Sequence, residues 1–261
     1  MIELKIMTFN LRCDFPLDMN NRWKDRRHIV YDIMNKYECD IIGIQEATES
    51  MYNDIKNNVP QYNILGIPRS RKFFAERNDL LVERKSNILQ SKTFWLSETP
   101  DIVGSSKWFS VFPRICTTAV IEINKGEKIR VCNSHLDCFT SKAREYELKR
   151  LMELVEEEQK KEDLPIIVMG DFNSKPESRL IKNLTEGVYG SKKMSAVQEY
   201  DKRLYMSSTM SMFKGKEKGI HIDYIFVSEE FKVNNVEIVR YNENGRYPSD
   251  HYPLMAEIEL I

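Results

Sequence analysis

Hydrophobic and polar positions along this chain follow two rhythms. Short runs rich in β-branched and aromatic residues recur at Leu4–Phe9, Ile41–Gln45, Tyr62–Leu65, Ile115–Ile123, Lys128–Asn133, Pro165–Met169, His221–Val227, Val233–Val239 and Tyr252–Leu260, and each reads as a strand. Between them, two segments space their apolar residues as helices do. Arg22–Lys36 gathers Trp23, Ile29, Val30, Ile33 and Met34 near one face, and Lys142–Lys160 gathers Tyr146, Leu148, Leu151, Met152 and Val155. Strands interleaved with amphipathic helices predict an α/β fold. Asn183–Lys216 keeps neither rhythm, and its Gly187, Gly190 and Gly215 mark loops around a short strand, a rim for a cleft.

Composition adds limits. No Pro-, Gly- or Ser-rich tract divides the 261 residues, so 1–261 reads as one domain with a substantial core. The longest apolar runs fall far short of the ~20 residues that span a bilayer, and the N-terminus lacks the pattern of a signal peptide. Five cysteines without a CxxC spacing argue against a disulfide framework or a zinc ribbon. A cytoplasmic monomer is the expectation. The formal net charge of −1 leaves a nucleic-acid substrate open without indicating one.

Polar residues collect where strands end, the usual place for ligands in α/β folds. Asn10 closes the first strand and Glu46 the second; a carboxylate there suits Mg²⁺, although a helix N-cap would also explain Glu46-Ala47-Thr48. In Gly170-Asp171-Phe172-Asn173 the acid can orient water and the amide can donate to a phosphoryl oxygen, or the segment can be an Asx-turn. Three of the four histidines lie in such segments: His135, His221 and His251. His221 shares a strand face with Asp223, and Asp250 adjoins His251; a carboxylate that fixes a histidine's tautomer makes it a better base.

In order, Thr8-Phe9-Asn10, Gln45-Glu46, Asn133-Ser134-His135-Leu136, Gly170-Asp171-Phe172-Asn173, Ile222-Asp223-Tyr224-Ile225 and Ser249-Asp250-His251 resemble the endonuclease/exonuclease/phosphatase superfamily of deoxyribonuclease-like hydrolases, over nearly the whole chain. Asn21-Arg22-Trp23, Thr93–Pro100 and Phe112-Pro113-Arg114-Ile115-Cys116 are similar to a bacterial subgroup without an assigned substrate. The resemblance implies a four-layer α/β/β/α sandwich, two packed mixed β-sheets flanked by helices, with the site at one edge. It implies Mg²⁺, for which Mn²⁺ substitutes, held by Glu46 with Asn10 and Asp250 close by. Asp171 would activate water, Asn173 and His135 would face the phosphate, and His251, oriented by Asp223, would take part in proton transfer. Arg114, His221 and Glu76 are the candidate substrate contacts, with Glu76 also the candidate acidic partner of His135.

The expected activity is in-line attack of water on a small or short phosphodiester: a nucleotide, an oligonucleotide end, a lipid head group or a sugar phosphate. Two alternatives stand beside it, a phosphomonoesterase and a non-catalytic module binding a phosphate ligand on the same fold. A dinuclear metallophosphatase would need a Gly-Asn-His segment, which the chain lacks.

Overall fold

Alternation along the strands decides which side chains face which layer. A computed structural model describes residues 2–72, 75–190 and 192–261. Its strands are β1 (Ile2–Asn10), β2 (Ile41–Ala47), β3 (Tyr62–Leu65), β4 (Arg77–Glu83), β5 (Asn87–Trp95), β6 (Ile115–Asn124), β7 (Glu127–His135), β8 (Ile166–Asp171), β9 (Met194–Ala196), β10 (Asp223–Ser228), β11 (Phe231–Ile238) and β12 (Leu254–Leu260). Its α-helices are α1 (Trp23–Tyr37), α2 (Glu49–Asn58), α3 (Ser141–Gln159) and α4 (Arg179–Thr185).

Two six-stranded sheets form, ordered β11-β12-β1-β2-β4-β3 and β5-β6-β7-β8-β10-β9. In β1, Leu4 and Ile6 face the second sheet and pack with Val131, Ile167 and Ile225, whereas Met7 and Phe9 face α1 and α2. The second sheet does the same: Cys132, Val168 and Phe226 turn outward to Leu148, Leu151 and Leu180 of α3 and α4. Three apolar layers thus separate four layers of structure, the sandwich expected from the resemblance.

Each sheet has one parallel pair at its heart, β1 with β2 and β7 with β8, while their outer neighbours run antiparallel. The carboxyl ends of the parallel strands therefore meet the amino ends of β12, β4, β6 and β10 at one edge. The chain lays β1–β4 in the first sheet, builds the second from β5–β10, and then returns through the β11–β12 hairpin to complete the first sheet against β1.

The nine expected strands are all present, with ends shifted by up to a few residues. β9 is the short strand expected within Asn183–Lys216, whereas β4 and β5 lack the expected pattern. β4 buries Arg77, Asn78 and Asp79 in succession, tolerable because Arg77 Nε donates to Asp79 (2.8 Å) and Asn78 Nδ2 to the Ile115 carbonyl (3.1 Å). β5 is an edge strand with mostly exposed side chains. No helix among the described residues is long and apolar enough to cross a membrane.

Candidate active site

The edge where parallel strands end and antiparallel strands begin collects Asn10, Glu46, His135, Asp171 and Asp223, with Glu76 and Arg114 one residue before β4 and β6. Register aligns them further. His135 lies opposite Asp171 across β7 and β8, and Asp171 opposite Asp223 across β8 and β10.

Local backbone re-aims two side chains. Between Ile44 and Ala47 β2 bulges against β4, and Glu46 there adopts φ +61°. Asn173 has φ +47°, and left-handed backbone at a non-glycine residue costs on the order of 1 kcal/mol. Gly170 is required by space, because a Cβ there would stand 1.8 Å from the Ser134 carbonyl oxygen. The sheets are pinned together just behind the site. Gln45 Nε2 donates to Asn133 Oδ1 (2.7 Å), and Asn133 Nδ2 donates to the Ile44 and Asp79 carbonyls, both at 2.8 Å.

Asp171 is the hub. Its Oδ2 accepts from Asn10 Nδ2 at 3.0 Å and stands 3.6 Å from His135 Nε2 and 3.8 Å from His251 Nε2, while its Oδ1 accepts the Asn173 N–H at 2.8 Å. Asn10 Nδ2 also reaches Glu46 Oε1 (3.0 Å), and Glu46 Oε2 accepts the Cys13 N–H (3.1 Å). Asn173 Nδ2 donates to the Leu136 carbonyl and lies 3.0 Å from His135 Nε2. His251 Nδ1 bonds Asp223 Oδ2 at 2.9 Å, and Ser249 Oγ donates to the Asn10 carbonyl at 2.7 Å, tying the segment of His251 to β1.

The two histidines are driven to opposite charge states. Burial disfavours a charged His251, but the Asp223 carboxylate outweighs it, with help from Asp250 and Asp171, and the pKa is held well above its ordinary value. Burial and the nearby Arg114 guanidinium push His135 well below, so it is neutral. Burial and repulsion from Asp223 lift Asp171 to about 7. Burial also opposes ionisation of Glu46, yet the hydrogen bonds from Asn10 and Cys13 and the charge on His251 prevail and hold it below its ordinary value. Asp250 is raised by burial, with repulsion from Glu46 adding to it.

Two oxygen-bearing sets meet here. Asp171, Asp223 and His251 bring one ligand atom each within 4.8 Å of one another. The His251–Asp223 hydrogen bond occupies His251 Nδ1, leaving His251 Nε2 and Asp171 Oδ2 facing each other at 3.8 Å. Glu46 and Asp250 offer carboxylate oxygens, with Asn10 turned so that its Nδ2 supports Glu46 and its Oδ1 accepts the Arg12 N–H (2.9 Å), and the mutual repulsion of Glu46 and Asp250 is the kind that a hard divalent cation relieves.

A cavity of about 340 Å³ reaches this edge, lined by Glu46 and His135 together with Arg12, Arg69, Glu76, Arg114 and the rings of Phe15, Phe112 and Phe139. It opens beside a cleft of about 820 Å³ that shares Arg69, Glu76 and Phe112. Arg114 is buried, and among the described residues its guanidinium makes one weak contact, 3.6 Å from Cys138 Sγ.

Two expectations need correction. His221 precedes β10 instead of joining it, and both ring nitrogens are held inside the protein, Nδ1 at 2.9 Å from the Ser207 carbonyl and Nε2 at 2.9 Å from Gln198 Nε2. It packs against Tyr224 and takes no part in the cavity. Glu76 does line the cavity but pairs with Arg69 (2.7 Å), and His135 Nδ1 has no carboxylate or other partner among the described residues. Arg69, Phe112 and Phe139 escaped the sequence reading as site residues, because only folding brings their three loops together.

Residues 7–251 match the family described as Endonuclease/Exonuclease/phosphatase family. The chain belongs to that family. Within it, an endonuclease/exonuclease/phosphatase from Bacteroides vulgatus is 28% identical and superposes with a TM-score of 0.86 over 100% of both chains. A mannosyl-6-phosphatase from Bacteroides thetaiotaomicron is 26% identical, with a TM-score of 0.88 over 98% of this chain and 100% of that one. Among curated proteins, Carbon catabolite repressor protein 4 homolog 4 of Arabidopsis thaliana is 25% identical, covering 92% of this chain and 71% of that protein. Family membership supports a phosphoester hydrolase.

Proposed function

We propose that this family member hydrolyses a small phosphoester with the aid of a divalent cation, Mg²⁺ or Mn²⁺, by in-line attack of water. The observation that carries the reading is the convergence on Asp171 Oδ2 of two histidines, His251 paired with Asp223 and His135 without a carboxylate partner among the described residues. At 3.6 and 3.8 Å both stand farther off than a hydrogen bond, a gap that a water bridges.

Asp171, titrating near neutrality, takes the proton of the attacking water. His251 stays protonated against Asp223 and donates toward the phosphoryl group. Neutral His135 and the Asn173 amide orient it, and Arg114 holds its negative charge. Glu46, Asn10 and Asp250 are the residues that would hold the cation, which when bound supplies positive charge against the phosphoryl oxygens.

The cavity of about 340 Å³ supports a small substrate over a polymer. A diester is the expected form, since two histidines serve it. A monoester is the second reading, favoured by the full-length similarity to the mannosyl-6-phosphatase. The test is hydrolysis of chromogenic mono- and diesters with Mg²⁺, Mn²⁺ or chelator, repeated with Glu46→Ala and His251→Ala. Turnover in chelator, or full activity in both variants, would sink the reading; metal binding without turnover of any phosphoester would leave a binding module.

A further inference from the structure

The mouth of the catalytic cavity carries apolar surface that the protein itself does not cover. Phe139 is 62% exposed and Phe112 41% exposed, yet both line the cavity that holds Glu46 and His135. Their rings lie 6.3 Å apart at 49°, forming one angled wall. Neither is loosely attached. Asp137 Oδ1 accepts the N–H groups of Phe139 and Thr140, both at 2.8 Å, and the Arg69 guanidinium sits 4.7 Å from the Phe112 ring centroid. Beside this wall, Arg69 and Glu76 form an ion pair that lines the same cavity.

An aromatic wall next to a guanidinium–carboxylate pair has a specific chemical complement. A polyhydroxylated ring presents an apolar C–H face to stack on the phenyl groups, and its equatorial hydroxyls both donate and accept. A carboxylate accepts their hydrogen bonds and a guanidinium donates to their oxygens. Two phenyl rings inclined at 49° offer a flat nucleobase one ring at a time, whereas they cup a puckered ring; an acyclic alcohol would use the pair and leave the wall bare. We infer that Phe112, Phe139, Arg69 and Glu76 form a subsite for a sugar ring esterified to the phosphate bound at Glu46 and His135. This rests on the reading of that edge as the phosphate site and names the organic group that the site carries.

The test reads binding, so that it does not depend on turnover. In an Asp171→Asn background with Mg²⁺, calorimetric titration compares a hexose 6-phosphate with glycerol 3-phosphate and with a nucleoside 5′-monophosphate. The hexose phosphate is expected to bind about tenfold tighter than glycerol 3-phosphate. Adding Phe139→Ala, a change at an exposed ring that leaves the core alone, should erase that difference while glycerol 3-phosphate binding holds. Equal affinity for the two, a Phe139→Ala loss shared by both, or tighter binding of the nucleotide overturns the inference. A protein that passes this test but hydrolyses no phosphoester keeps the sugar subsite and loses the catalytic proposal.

Discussion

Arg26 offers the sharpest test of how the site is held. It is fully buried on α1, and its guanidinium donates to four carbonyls: Leu11 (2.6 Å), Arg12 (2.5 Å), Asn21 (2.9 Å) and Pro248 (2.7 Å). The Leu11 and Arg12 carbonyls belong to the segment leaving Asn10, and the Pro248 carbonyl to the segment approaching Asp250 and His251. Arg26→Met keeps the stem against Trp23, whose ring lies 5.3 Å from the guanidinium carbon, and removes every donor. The Leu11 and Pro248 carbonyls are in buried bonds, and orphaning each costs about 1–3 kcal/mol. Relief of the buried charge, whose pKa burial drags down to about 10, offsets part of this. The net loss is about 3 kcal/mol, which at roughly 2–4 °C per kcal/mol lowers the melting temperature by about 6–12 °C and leaves the chain folded at 25 °C. Thermal melts give the first number and kcat on a chromogenic phosphoester the second; kcat should fall as both segments slacken. A variant melting within about 2 °C of the wild type with unchanged kcat would refute the bracing role.

Three further outcomes are expected. Asp223→Asn removes the carboxylate that keeps His251 charged, so kcat should drop by about a hundredfold or more, and an NMR titration should find the His251 pKa lowered; an unmoved His251 would contradict the pairing. Burial raises Asp79 from 3.8 to about 6 despite Arg77, so its contribution to stability is fully present below about pH 3.8 and is lost as pH rises through about 6. Urea unfolding of Asp79→Asn should therefore lack a decline on the order of 3 kcal/mol that the wild type shows over that window, and parallel curves would show the shift to be absent. Gly170→Ala places a Cβ against the Ser134 carbonyl, forcing β7 and β8 apart; a loss of several kcal/mol together with activity is expected, and a native melting curve would show the strands to be more yielding than close packing allows.

The site was legible where chemistry and strand-end position coincide. Asn10, Glu46, His135, Asp171 and Asp223 each follow a run of apolar residues or begin one, so fold and candidate residues emerged from the same pattern. Gln45 and Asn133 sat in those motifs too, but their role in joining the sheets exists only once two layers face each other. Arg26 shares a helical face with Trp23, which in sequence suggests packing alone, because its partners are backbone carbonyls and carry no side-chain signature. His221 misled for the converse reason: spacing placed it with Asp223, whereas Ser207 and Gln198, from a patternless region, capture its ring. Arg69 and Phe139 lie in loops whose approach depends on the sheets closing.

The returning β11–β12 hairpin sets a condition on when this site can form. The antiparallel neighbour of β1 is β12, separated from it by the whole second sheet, and the segment bearing His251 immediately precedes β12. An emerging polypeptide can assemble α1, β2 and β4 around β1, but the other edge of β1 stays unpaired and Asp171 faces no second histidine until that hairpin has been made. Fragments ending before β11 would possess Glu46, His135 and Asp171 and still lack His251. The return therefore works as an assembly interlock, tying completion of the edge to the pairing of β12 with β1.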